Sequence, residues 1–145
     1  MFYGVYEHSF DRKGRVIVPA KFRQALDAQT IQNLYLTRGL DECLFLFPEP
    51  EWRALEGRFK QLPFTKTEAR RFSRLFFSWA TEVQVDALGR ILIPKHLRDI
   101  AHIQDDVMVI GVSSRIEIWA KDAWEKFNAD DRESFEDLAE RIMLD

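Results

Sequence analysis

Cysteine is almost missing from this 145-residue chain. Cys43 stands alone, which excludes an internal disulfide and a zinc site built from several thiolates, and is compatible with a reducing compartment, so the cytoplasm is the expected location. Histidine is also scarce: His8, His96 and His102 are scattered without ligand spacing, and no HExxH, Walker or GxGxxG sequence occurs, so no metal or cofactor is expected. No run approaches the ~18 consecutive apolar residues of a membrane span, and no positively charged stretch near Met1 leads into an apolar one. A soluble, unexported protein without a membrane partner is the expectation. A basic excess is lacking too, since the formal charge of -3 argues against a generic polycation that coats nucleic acid.

The charge that is present is unevenly placed. Residues 1–75 hold 13 Lys and Arg against 9 Asp and Glu, and residues 76–145 hold 8 against 15, so the halves carry +4 and -7. Such polarity serves a basic contact face, charge-matched self-association, or only a solvated surface. With 46% hydrophobic residues, a chain of this length buries about two thirds of its unfolded surface, enough for one substantial core.

The strongest pattern is an internal repeat. The segment from Phe10 to Pro19 (Phe-Asp-Arg-Lys-Gly-Arg-Val-Ile-Val-Pro) returns from Val85 to Pro94 (Val-Asp-Ala-Leu-Gly-Arg-Ile-Leu-Ile-Pro), offset by 75 residues. Asp11 then matches Asp86, Gly14 matches Gly89, Arg15 matches Arg90, and Arg23 matches Arg98. Farther on, Leu44-Phe-Leu-Phe47 and Trp52 face Ile116-Glu-Ile-Trp119 and Trp124 at an offset of 72, a shorter loop accounting for the change.

Each copy reads alike. A strand (about Val5 to Phe10, or Thr81 to Val85) meets an Asp-x-x-Gly turn and returns through β-branched residues, predicting a hairpin. Pro19 or Pro94 suits the first position of a short helix. Two more strands follow (about Leu34 to Thr37 and Leu44 to Phe47, or Val107 to Val112 and Arg115 to Trp119), and a helix closes each copy. Between the copies, Thr65 and Glu68 have capping-box spacing, and Ala69, Phe72, Phe76 and Trp79 mark a helical face opposite Arg70, Arg71 and Arg74. Phe135, Leu138, Ala139, Ile142 and Met143 predict a C-terminal helix that buries its stripe, with Asp130 and Asp131 near its positive end. The resulting division is a first unit at 5–52, connecting helices at 53–80, a second unit at 81–124 and a C-terminal helix at 125–145. Because a four-stranded half has little core and exposed edges, the two halves are expected to pack into one α+β, mainly β, barrel-like body. A pseudo-twofold axis would bring their turns together at one end.

In Asp-x-x-Gly-Arg the carboxylate accepts turn N–H groups, glycine supplies positive φ, and the arginine opens the return strand. Asp11 and Asp86 are thereby placed to hold Arg15 and Arg90 in fixed orientation, and a preset guanidinium reads phosphate or guanine. The same residues also fit ordinary hairpins carrying surface ion pairs. A third reading places Asp11 and Asp86 together as a carboxylate pair for acid–base catalysis, although an arginine four residues from each keeps it ionised.

The paired Asp11-x-x-Gly14-Arg15-x-x-x-Pro19 and Asp86-x-x-Gly89-Arg90-x-x-x-Pro94 motifs resemble the looped-hinge signature of AbrB-like transcription factors. Two such units in a chain opening Met1-Phe2 and Gly4 resemble the MraZ family over nearly the whole length. The resemblance implies AbrB-like swapped-hairpin units, assembly into a ring-like homo-oligomer, and sequence-specific binding to short tandem repeats in double-stranded DNA upstream of the division and cell-wall gene cluster. It implies a nucleoid-associated regulator, commonly a repressor, rather than an enzyme with a small-molecule substrate. Arg15, Lys13 and Arg12 then become the principal DNA contacts, Arg90 a secondary one, Asp11 and Asp86 the orienting groups, and Gly14 and Gly89 the turn residues. The second turn departs from the first, having Ala87 and Leu88 where the first has Arg12 and Lys13. A scaffold or antitoxin-like binder remains the alternative, since the 19 aromatic residues could line a protein interface. For the ring, the basic face of Arg70, Arg71 and Arg74 is expected to meet a neighbour's acidic C-terminal helix.

Overall fold

A computed structural model describes residues 1–143. The first repeat comprises β1 (Phe2–Ser9), β2 (Arg15–Ile17), α1 (Ala20–Ala28), β3 (Asn33–Arg38), β4 (Leu44–Pro48) and α2 (Glu49–Lys60). After the connecting helix α3 (Thr67–Ser78), the order recurs as β5 (Thr81–Gln84), β6 (Arg90–Leu92), α4 (Lys95–Ile100), β7 (Asp106–Ser113), β8 (Arg115–Ala120) and α5 (Lys121–Ala129), followed by α6 (Phe135–Met143). The protein is therefore α+β, with most of its core built on strands.

The strands beside each Asp-x-x-Gly turn do not pair with each other, which corrects the expected hairpin. Instead β1 runs antiparallel to β7, β5 antiparallel to β3, and β2 antiparallel to β6. Every one of these pairings joins one repeat to the other. The six-stranded sheet has the order β1-β7-β8-β4-β3-β5, which reads the same backwards when the repeats are exchanged, and β2-β6 forms a separate ribbon. Cross-pairing satisfies backbone groups that a lone four-stranded half would leave at its edges. The turns survive as local structures, with Asp11 N–H donating to Arg15 O and Asp86 N–H donating to Arg90 O.

Alternation along β4 and β8 divides the interior in two. Leu44, Leu46, Ile116 and Ile118 join Val16, Val18, Ile91 and Ile93, with Phe22 and Leu26 of α1 and Leu97 of α4, in one core. Phe45, Phe47 and Trp119 face the opposite way, toward Trp52 of α2 and Phe76 of α3. Because β4 and β8 form the middle of the sheet and are buried on both faces, they read as nearly continuous apolar runs. The polar intruders are satisfied: Thr37 Oγ1 donates to Phe76 O at 2.7 Å, and Glu117 accepts from Trp119 Nε1 at 3.0 Å and Arg115 Nη2 at 2.7 Å.

Helix ends differ from expectation. Pro19 and Pro94 are N-caps in extended conformation, one residue ahead of the first helical position. Lys66 rather than Thr65 caps α3, without a side-chain hydrogen bond, so the Thr65–Glu68 capping box does not form. Ser134 and Asp137 make the reciprocal contacts that open α6, with Asp137 N–H donating to Ser134 Oγ at 3.0 Å. Asp130 and Asp131 therefore precede the helix start, and Asp130 pairs with Arg132 instead. The apolar stripe of α6, expected to be buried against something, is not covered by this chain, with Phe135 82% and Ile142 73% exposed. Residues 144 and 145 of the expected helical segment lie outside the described residues.

Candidate nucleic-acid interface

Each turn is organised by one carboxylate. Asp11 Oδ1 accepts the backbone N–H groups of Lys13 and Arg15, both at 2.9 Å, and Oδ2 accepts from Arg15 Nε at 2.7 Å. Asp86 repeats the pattern, accepting from Leu88 N–H at 3.0 Å, Arg90 N–H at 2.8 Å and Arg90 Nε at 2.9 Å. These N–H groups, the backbone N–H of Arg15 or Arg90 foremost, hold both carboxyls below the ordinary aspartate range. Both stay ionised, and each presets a guanidinium. Arg90 Nη1 also lies 3.8 Å from Asp11 Oδ2, so an arginine stands between the two carboxylates and a proton-sharing pair does not form.

Gly14 and Gly89 adopt φ of +83° and +82°, a region that costs other L-residues about 1–2 kcal/mol. A second restriction comes from the opposite repeat. A Cβ on Gly89 would lie 2.7 Å from Arg23 Nη1, and one on Gly14 would lie 3.0 Å from Arg98 Cζ. Arg23 on α1 thus covers the second turn, and Arg98 on α4 covers the first. Arg23 Nε also donates to Val18 O at 3.0 Å, which anchors its fork. Sequence reasoning aligned these two arginines across the repeat without giving them a role; their retention as arginine in both copies was the available signal.

The turns are locked side by side. Val18 N–H donates to Gly89 O at 2.8 Å, and Ile93 N–H donates to Gly14 O at 2.9 Å, a pair of bonds related by the 75-residue offset. Between them the β2–β6 ribbon buries Val16 and Ile91 and turns Arg15, Ile17, Arg90 and Leu92 outward. The Arg15 and Arg90 side chains are partly sheltered, at 30% and 24% exposure, as expected for groups that are held rather than waving in solvent. Arg12 and Lys13 are exposed at the first tip, where Ala87 and Leu88 are exposed at the second. One surface therefore gathers Arg12, Lys13, Arg15 and Arg90.

Burial pushes the Cys43 thiol up to about 12, leaving it a protonated core residue whose Sγ donates to Leu40 O at 3.0 Å. Among the described residues no group of three or more His, Cys, Asp or Glu is placed to hold a metal ion. Among them also, no helix is long and apolar enough to cross a membrane.

Comparison with known proteins matches this sequence to a family. The family model described as "MraZ protein, putative antitoxin-like" matches residues 1–75 and again residues 76–145, in step with the offset of the internal repeat. A Transcriptional regulator MraZ of Desulforamulus reducens is 50% identical over 143 residues, covering 99% of this chain and 98% of the relative. Proteins of the same name from Natranaerobius thermophilus and Acetivibrio thermocellus are 50% and 49% identical, over 99% of this chain and 97% and 98% of their own lengths.

Proposed function

The chain belongs to the MraZ family, and from that premise we propose that it is a transcriptional regulator binding short tandem repeats in double-stranded DNA through the β2–β6 ribbon and its two turns. The observation that carries the reading is the pair of arginines held outward by Asp11 and Asp86 on one locked surface. A two-stranded ribbon fits the major groove, where an oriented guanidinium recognises guanine O6 and N7. Arg15 is the principal reader, Arg12 and Lys13 neutralise phosphates, and Arg90 is the secondary contact. We read the exchange of strands between repeats as an AbrB-like swapped-hairpin barrel, with the turns as its DNA-binding end. No enzymatic step is assigned to this surface.

A protomer of charge -3 with so small a cationic surface grips DNA weakly, because affinity grows with the number of phosphates neutralised. A ring-like homo-oligomer answers this by presenting several ribbons, so that binding one repeat raises the effective concentration of the next. Repression follows where the repeats overlap the promoter, and a nucleoid-associated protein of the cytoplasm is the corresponding location. Charge and shape suggest how the copies meet. The uncovered stripe of α6 is bordered by Glu136 and Glu140, while α2 and α3 enclose a groove of about 250 Å³ lined by Phe59, Leu62, Phe64 and Ala69 beside Arg70 and Arg74. Seating a neighbour's α6 there buries the stripe and pairs the charges in a head-to-tail contact. Light scattering of Arg70→Glu/Arg74→Glu should show a smaller species, and an unchanged oligomer would remove this interface.

The DNA reading is tested by fluorescence anisotropy on the duplex upstream of the protein's own gene, at two salt concentrations. Arg15→Ala should lose roughly 10- to 100-fold in affinity while keeping its fold and assembly. Wild-type affinity in that variant would sink the assignment. A protein-binding, antitoxin-like role is the second reading, favoured by the exposed apolar face of α6. Stoichiometric copurification of a foreign protein that is lost on Phe135→Ser/Ile142→Ser would support it.

A further inference from the structure

The outward face of the ribbon is not uniformly polar. Its register sets Arg15 opposite Leu92 and Ile17 opposite Arg90, so each guanidinium has an apolar neighbour across the strands. Leu92 is 52% exposed and Ile17 39%, and Leu88 at the tip of the second turn is 69% exposed. Leu88 stands at the repeat position that exposed Lys13 holds in the first turn. The core does not need these side chains, since Val16, Val18, Ile91 and Ile93 already supply the ribbon's inward face. Apolar side chains set beside outward arginines suit a partner surface that is polar and acidic in most places and apolar at a few.

The major groove of DNA has that composition. Its base edges offer guanine acceptors to arginine and a single kind of apolar group, the 5-methyl of thymine. We infer that Leu88 and Leu92 are specificity-determining residues that read thymine methyl groups next to the bases read by Arg15 and Arg90. The inference rests on the DNA-binding reading above and deepens it by naming the apolar half of the recognition. It also gives the second turn a task of its own. Where the first tip meets phosphates through Arg12 and Lys13, the second recognises base identity through a leucine.

Replacing thymine by deoxyuridine removes the methyl and leaves the hydrogen-bonding groups in place, which supplies a direct test. The probes are the duplex upstream of the protein's own gene and the same duplex with deoxyuridine for every thymine, titrated with the full-length protein. Wild type should bind the uridine duplex more weakly, by about fourfold for each methyl contacted. Leu88→Ala/Leu92→Ala should bind the two duplexes equally, at the level wild type shows on uridine DNA. The circular dichroism spectrum of this variant should match wild type, since both positions are exposed. If wild type binds both duplexes alike while Arg15→Ala still weakens binding, methyl reading is overturned and DNA binding stands. If the double variant keeps the preference for thymine, the leucines are not its source and the inference fails. If wild type binds neither duplex at low salt, both readings fall.

Discussion

The two turns share one backbone and differ in what they display. Both have an aspartate accepting two turn N–H groups and an arginine Nε, both have a glycine at φ near +80°, and both are covered by an arginine from the opposite repeat. The first ends in Arg12 and Lys13, and the second in Ala87 and Leu88. Geometry was kept in the two copies while surface chemistry diverged, because the turn is built from Asp, Gly and Arg, and the two tip residues contribute only backbone to it. The scaffold constrains the first set and leaves the second free to specialise.

This comparison can be broken or sharpened experimentally. The largest effect is expected from Arg15→Ala/Arg90→Ala, which should bind the upstream duplex more weakly than either single variant, with Arg15→Ala the more damaging single change; anisotropy titrations would show it. Equal losses from the two single variants would make the turns equivalent and undo the distinction. A smaller effect is expected from exchanging the tips. Arg12→Ala/Lys13→Leu should flatten the dependence of log affinity on log salt by roughly 0.9 for each phosphate that is no longer neutralised, so up to about 2. Ala87→Arg/Leu88→Lys should steepen it by a similar amount, and salt slopes unmoved by both exchanges would show that the tips do not meet phosphates.

The smallest effect concerns pH. Both aspartates titrate below the ordinary value of 3.8 because turn N–H groups favour their charged form. A depressed folded-state value means that the turn's contribution to stability is complete above the usual aspartate range and is lost as pH falls through the lower, folded value. Carboxyl carbon shifts followed by NMR should give midpoints below 3.8 for Asp11 and Asp86 alike. An ordinary midpoint for one of them would show that its turn is loosely held.

Much of the local structure was legible from residue types. The β-branched run after each glycine forms a strand, Trp52, Leu55 and Phe59 lie on one helix, and the Asp–Arg ion pairs appear at both turns. The apolar run from Leu44 to Phe47 is a strand buried on both faces. Errors concentrated where a segment's partner lay elsewhere in the chain. One error was local: Thr65 had the spacing of a cap, yet α3 begins at Thr67. The stripe of α6 was amphipathic, but amphipathicity states only that a partner is wanted.

Two properties of this protein followed from the amino-acid order alone: one unit occurs twice, and each unit contains a turn that presets an arginine. The repeat needs only a comparison of residue types, and the turn depends on residues within five positions of each other, where backbone preferences and short hydrogen bonds decide the outcome. Tertiary structure alone decided that β1 joins β7, that β5 joins β3, and that Arg23 and Arg98 guard each other's glycines. In two repeats of the same element order every strand has an equivalent partner in its own copy and in the other. Local pattern is silent between them, and the choice falls to whichever pairing closes the shared core and leaves fewest edges open.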